Sequence, residues 1–131
     1  VLSHAYQEEK LEGGDTRVVL RLPAALAPVK LAILPLVKKD GLPEKAREIM
    51  NELRFYFRCA YEEKDSIGKR YRRQDAIGTP YCITVYHETL TDGCVTIRHR
   101  DTMEQERVSI DSLRSIIEEK VSLTSLLRQL K

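Results

Sequence analysis

A chain of 131 residues, 42% hydrophobic and 32% charged, is long enough for one packed core that buries roughly two-thirds of the surface of the unfolded chain. Its formal net charge of +2 excludes a polycation that binds nucleic acid through bulk charge, so an anionic partner has to be met by a local patch. No apolar run approaches the ~18 residues of a membrane helix, and the three cysteines are odd in number and form no CxxC pair, which together with the lack of a secretory signal fits a reducing cytoplasm.

Taken in order, residues 1–12 read as the tail of a helix that begins before the given sequence, so the chain is expected to be a piece of a longer one. Residues 12–28 carry Gly13, Gly14, Pro23 and Pro28 around a short alternating stretch, and read as a linker. The division expected is 1–25 for the preceding segment and linker, and 26–131 for the domain. Residues 29–37 are almost continuously apolar, which suits a strand covered on both faces. Pro43 and Glu44 then open a helix whose apolar face is Ala46, Ile49, Met50, Leu53 and Phe57.

A short second strand over 58–61 follows, parallel to the first through a right-handed crossover. Residues 66–77 form a second helix, capped by Asp65 or Ser66 and stopped by Gly78 with Pro80 beyond. Residues 81–86 and 94–100 are rich in β-branched and aromatic side chains, and the Asp92-Gly93 turn signal between them predicts a hairpin. A fifth strand over 106–110 leads to a long C-terminal helix marked by Leu113, Ile116, Ile117, Val121, Leu123, Leu126, Leu127 and Leu130. The order β-α-β-α-β-β-β-α implies an α/β sandwich with a mixed sheet whose first three strands are parallel.

The second helix holds four cations in the five positions 69–73. At about 100° per residue, Lys69, Arg72 and Arg73 fall within one quarter of the circumference with Arg70 at its edge, while Ile67 and Tyr71 lie opposite. The apolar pair is expected to anchor the helix and the basic arc to face outward, offering forked donors to phosphates and base edges. A charge run is as often a plain solvated face. A second basic element, Arg98-His99-Arg100 followed by Asp101 and Thr102, ends the fourth strand. Arg98 and Arg100 share a face and His99 points the other way, so the two guanidinium groups are candidates to read unstacked bases. The plainer alternative is that they pair with Asp101, Glu104 or Glu106.

Cys82-x4-His87 and Cys94-x4-His99 invite zinc, but residues five apart on a strand lie on opposite faces, which argues against a metal site. No GxSxG, HExxH, GxxxxGK[ST] or GxGxxG pattern occurs, so neither a nucleophile nor a nucleotide cradle is expected, and no cofactor is assigned to this segment.

Three stretches carry a family resemblance. LAPVKLAILPL (26–36) looks like the opening strand of anticodon-binding domains from class II aminoacyl-tRNA synthetases. SIGKRYRRQDAIGTP (66–80) and VTIRHRDTMEQERV (95–108) resemble the glycyl-specific dimeric enzymes, in their C-terminal domain. The resemblance covers 26–130. It implies a three-layer sandwich, a five-stranded mixed sheet flanked by three helices. It also implies a parent ligase that uses ATP and Mg2+ to attach glycine to the 3′ end of its tRNA, as a cytoplasmic homodimer.

On that pattern the catalytic motifs lie upstream of Val1, His4-Ala5-Tyr6 looks like the end of the helix that closes the catalytic domain, and the segment alone is not catalytic. The partners implied are the anticodon stem-loop of tRNA(Gly) and the catalytic domain. The RNA-facing residues implied are Lys69, Arg70, Arg72 and Arg73 on the helix and Arg98, Arg100, Asp101 and Thr102 at the sheet end, with Glu88 a weaker candidate. Tyr86 and His99 depart from the family pattern, which expects aspartates there. The competing reading is a non-catalytic nucleic-acid or protein interaction domain that has kept this fold. Erosion of the basic helix would mark such a domain, and KRYRR is intact.

Overall fold

The computed structural model describes residues 6–10, 16–20 and 27–121. Its first two elements correct the reading of the N-terminal part. Tyr6–Lys10 (β1) and Thr16–Leu20 (β2) are strands that pair antiparallel, Tyr6 opposite Leu20 and Lys10 opposite Thr16. The expected helix tail at Tyr6 is therefore a strand, and the expected linker contains one. The hairpin signal was present in the alternation of Thr16–Leu20 after Gly13-Gly14. His4 and Ala5 lie outside the described residues.

Leu31–Pro35 (β3) is buried at all five positions because helices cover both of its faces. The chain turns through Asp40 and Gly41, both at positive φ (61° and 79°), into Leu42–Leu53 (α1). There Leu42, Ala46, Ile49 and Leu53 recur at three- and four-residue spacing and are buried. Cys59–Tyr61 (β4) follows, then Ile67–Ile77 (α2), Tyr81–Val85 (β5) and the one-turn helix Thr89–Asp92 (α3). Cys94–His99 (β6), Gln105–Ser109 (β7) and Ile110–Val121 (α4) complete the described chain. Leu123, Leu126, Leu127 and Leu130 of the expected long helix lie outside the described residues.

The main sheet runs β4-β3-β5-β6-β7. As expected, β3, β4 and β5 are parallel, and β6 and β7 continue antiparallel. The hairpin between β5 and β6 is looser than Asp92-Gly93 suggested. Those residues close α3, with Gly93 at φ 68° and the Asp92 carboxylate accepting the Cys94 amide at 2.9 Å.

Two cores follow from the period-two alternation of the strands. On one face Leu31, Ile33, Ile83, Val85, Val95 and Ile97 pack with Leu42, Ala46 and Ile49 of α1 and with Leu113 and Ile117 of α4. On the other, Ala32, Leu34 and Cys82 meet Ile67 and Tyr71 of α2. These are the three layers expected.

Both ends of α2 are set by local chemistry. The Ser66 hydroxyl accepts the Lys69 amide, and Gly78 takes φ 87° to close the helix. The Gly78 amide bonds the Asp75 carbonyl and the Thr79 amide bonds the Gln74 carbonyl, the paired bonds of a Schellman stop. A Cβ on Gly78 would stand 3.1 Å from Leu20 Cδ2, because β2 packs across this end of the helix. Only glycine meets both demands there.

Candidate nucleic-acid interface

The arc on α2 is smaller than the sequence suggested. Lys69, Arg72 and Arg73 are exposed, but Arg70 is buried at 1% exposure. Arg70 stands three residues after Ile67 and four before Gln74, so it belongs to the stripe that faces the sheet.

Burial of this guanidinium is tolerated because the chain leaves β3 toward one face and β4 toward the other, which leaves carbonyls at the strand ends needing donors. Arg70 Nη1 donates to the carbonyls of Pro35 at 2.6 Å and Glu62 at 3.1 Å, and Nη2 to that of Leu36 at 3.0 Å. Its Nε has no hydrogen-bond partner among the described residues, and desolvation pulls the pKa below the ordinary arginine value. Arg70 ties the loop after β4 to the end of β3 and does not present itself to a ligand.

The pair at the end of β6 is corrected in the same way. Arg98 and Arg100 do share a face, but it is the face toward α2, and they are 6% and 4% exposed. Arg98 lies opposite Cys82, in the layer that α2 covers. It forms a two-pronged bond to the buried Asp75, Nη1 to Oδ1 at 2.8 Å and Nη2 to Oδ2 at 3.1 Å, and its guanidinium sits 4.6 Å from the centre of the Tyr71 ring. The Tyr71 hydroxyl shares a 2.5 Å hydrogen bond with Thr84. Arg100 donates to the Gly78 carbonyl at 3.0 Å and to Asp101 at 2.9 Å. Of the pairings weighed from the sequence, that with Asp101 is present for Arg100, whereas the partner of Arg98 is Asp75, 23 residues away and invisible to local pattern.

His99 points to the other side, edge-on to Tyr81 at 5.4 Å and 3.3 Å from Glu106. His87 meets Asp40 at 3.0 Å. The Cys82 thiol is buried in the core and pushed up to about 12 by desolvation, and burial raises that of Cys59 to about 11.

Asp101, Thr102 and Glu88 are exposed. They do not converge. Pairing of Tyr81 with His99 and of Thr84 with Thr96 puts the Asp101-Thr102 turn at the start of β5 and Glu88 beyond its far end. α2 starts at the end of β3, where Arg70 reaches the Pro35 carbonyl, and stops beside Arg100, which donates to the Gly78 carbonyl, so Lys69, Arg72 and Arg73 sit in the half of the helix nearer the Glu88 end of the sheet.

One further strip was not singled out from the sequence. In register with Thr84 and Arg98, the residues Thr96, Gln105 and Arg107 face the same side as α2. Gln105 and Arg107 are exposed and Thr96 is half-buried. The Arg107 guanidinium pairs with Asp92. The sequence offered only a polar start to the strand, Gln105-Glu106-Arg107, with no alternation to show which side the strip faces. A helix with exposed cations beside an open, polar strip of sheet is a surface on which a single strand of RNA can lay its phosphates against one wall and its bases against the other.

A family model described as "Anticodon binding domain" matches residues 30–120. The chain belongs to the anticodon-binding domain family. Over 121 residues it is 60% identical to the glycine–tRNA ligase of Clostridium perfringens, and over 116 residues it is 55% identical to that of Borrelia hermsii. The matches cover 89% and 88% of this chain but only 26% of each relative, so the domain spans about a quarter of their length. Among solved structures it resembles the RNA binding domain of threonyl-tRNA synthetase from Cryptosporidium parvum, with a TM-score of 0.69 and 25% identity over 76% of this chain and 25% of that one.

Proposed function

We propose that this domain reads the anticodon loop of tRNA(Gly) as part of a glycine–tRNA ligase. The observation that carries the reading is its 55–60% identity, over nearly its whole length, to ligases of that specificity. In this reading Lys69, Arg72 and Arg73 hold phosphates, Asp101, Thr102 and Glu88 are candidates to meet base or ribose edges at the two ends, and Thr96, Gln105 and Arg107 floor the groove. Arg70, Arg98 and Arg100 act from inside, fixing the helix and the turn that carry the exposed groups.

The catalytic part of the longer protein is proposed to lie outside this chain, to use ATP and Mg2+ for activation of glycine, and to work as a cytoplasmic homodimer. The role left to the domain is to hold the tRNA in register, so that anticodon identity biases which 3′ end is presented.

Titration of isotope-labelled domain with a glycine anticodon stem-loop tests the placement. Amide shifts are expected to cluster at 69–73, 96–98 and 101–107. A footprint centred instead on the exposed Phe55 and Tyr56 (79% and 52% exposed) at the end of α1 would contradict it.

A further inference from the structure

We propose that Glu62 and Asp65 determine how selective this interface is, by holding Arg73 as an internal substitute for phosphate. The inference rests on the RNA-binding reading above and concerns one cation of the arc.

All three guanidinium nitrogens of Arg73 are engaged within the molecule. Nε donates to Glu62 Oε1 at 2.8 Å, Nη1 to Asp65 Oδ2 at 2.7 Å, and Nη2 to the Lys64 carbonyl at 3.0 Å. This is the forked geometry with which arginine grips a phosphate.

The clamp is built in advance. Glu62 Oε2 accepts Gln74 Nε2 at 2.6 Å, and its carbonyl accepts Arg70 at 3.1 Å. Asp65 is held at φ 69° immediately before the Ser66 cap. The Arg73 hydrogen bond keeps the Asp65 carboxyl below the usual carboxylate range, and Lys69 and Lys38 add a smaller pull in the same direction. The clamp is nevertheless reachable, since the side chains of Arg73 and Asp65 are 43% and 50% exposed, so an incoming phosphate can take their place.

Attraction of cations to a polynucleotide is indifferent to sequence, so every exposed cation strengthens wrong partners as well as right ones. A loosely bound anion gains little by breaking three existing bonds. A loop already seated by its other contacts presents its phosphate at high local concentration and can make the exchange. Arg73 is thereby withheld from anions in general and released to a seated loop.

The test is affinity over a salt series for two stem-loops, one with a glycine anticodon and one with the two cytosines shared by glycine anticodons replaced. Wild type, Asp65→Asn, Arg73→Ala and the double variant are compared. Asparagine tolerates positive φ, so the turn is kept while the charge is removed. In Asp65→Asn the replaced loop is expected to bind about three- to fivefold more tightly, with a log-log salt slope steeper by about 0.7, while the glycine loop gains less. In the Arg73→Ala background the gain should vanish.

Equal gains on both loops, no gain, or a gain that survives Arg73→Ala would each overturn the inference. A loss of affinity would do so as well, provided thermal melting shows Asp65→Asn folded. If it does not fold, Glu62→Gln takes its place with the same expected outcome. Failure of wild type to bind either loop overturns the recognition reading itself, and the inference with it.

Discussion

Replacing Asp75 with alanine is expected to destabilise the domain by about 3–5 kcal/mol and lower its Tm by roughly 10 °C or more. Asp75 and Arg98 have side chains 0% and 7% exposed and are joined by two hydrogen bonds, so truncating the carboxylate strands a guanidinium where water does not reach it. The contrast lies in the paired change. Asp75→Leu with Arg98→Met removes both charges and keeps apolar volume, and is expected to cost far less than Asp75→Ala alone, because an ion pair swapped for packed side chains often breaks even. Thermal melts of the wild type and these two variants by circular dichroism check this. A loss below about 1 kcal/mol for Asp75→Ala would mean that the buried pair does not hold α2 to β6.

Lys69→Ala combined with Arg72→Ala is expected to weaken binding of a glycine anticodon stem-loop by roughly ten- to thirtyfold at 0.1 M salt. The log-log salt slope should flatten by about 1.4, the share of two phosphates on a single strand. Both residues are exposed on the outer side of α2, so the change should leave the melting temperature within a few degrees of wild type. Fluorescence anisotropy across a salt series measures both quantities. Phe55→Ala, at an exposed position just after α1, serves as the control and should change neither. An unchanged slope in the double variant would make the helix a solvated face and nothing more.

Much of this architecture was legible because local signals agreed with the fold. The unbroken apolar run around Leu31–Pro35 announced a strand covered on both faces, and Ser66 with Gly78 marked the ends of α2 to within a residue. What stayed hidden depended on partners distant in sequence. Arginine reads as surface in any composition argument, yet Arg70 finds carbonyls 34 and 35 residues away, and Arg98 finds Asp75. Period two correctly placed Arg98 and Arg100 on one face, but could not tell which face the second helix would cover.

The N-terminal hairpin was lost for a different reason. Gly13, Gly14, Pro23 and Pro28 around it are the composition of a linker, yet Val19 is fully buried and Leu20 closes on Gly78. The strip of Thr96, Gln105 and Arg107 was missed because its residues matter only in register with each other.

The most direct test is the affinity of the wild-type domain for a glycine anticodon stem-loop against the same loop with the two shared cytosines replaced, at several salt concentrations. A clear preference for the glycine loop is expected, with log K falling linearly and steeply with log salt for both. Equal, weak binding to the two loops would contradict it, leaving a domain of this family with cations on its surface but no power to read an anticodon.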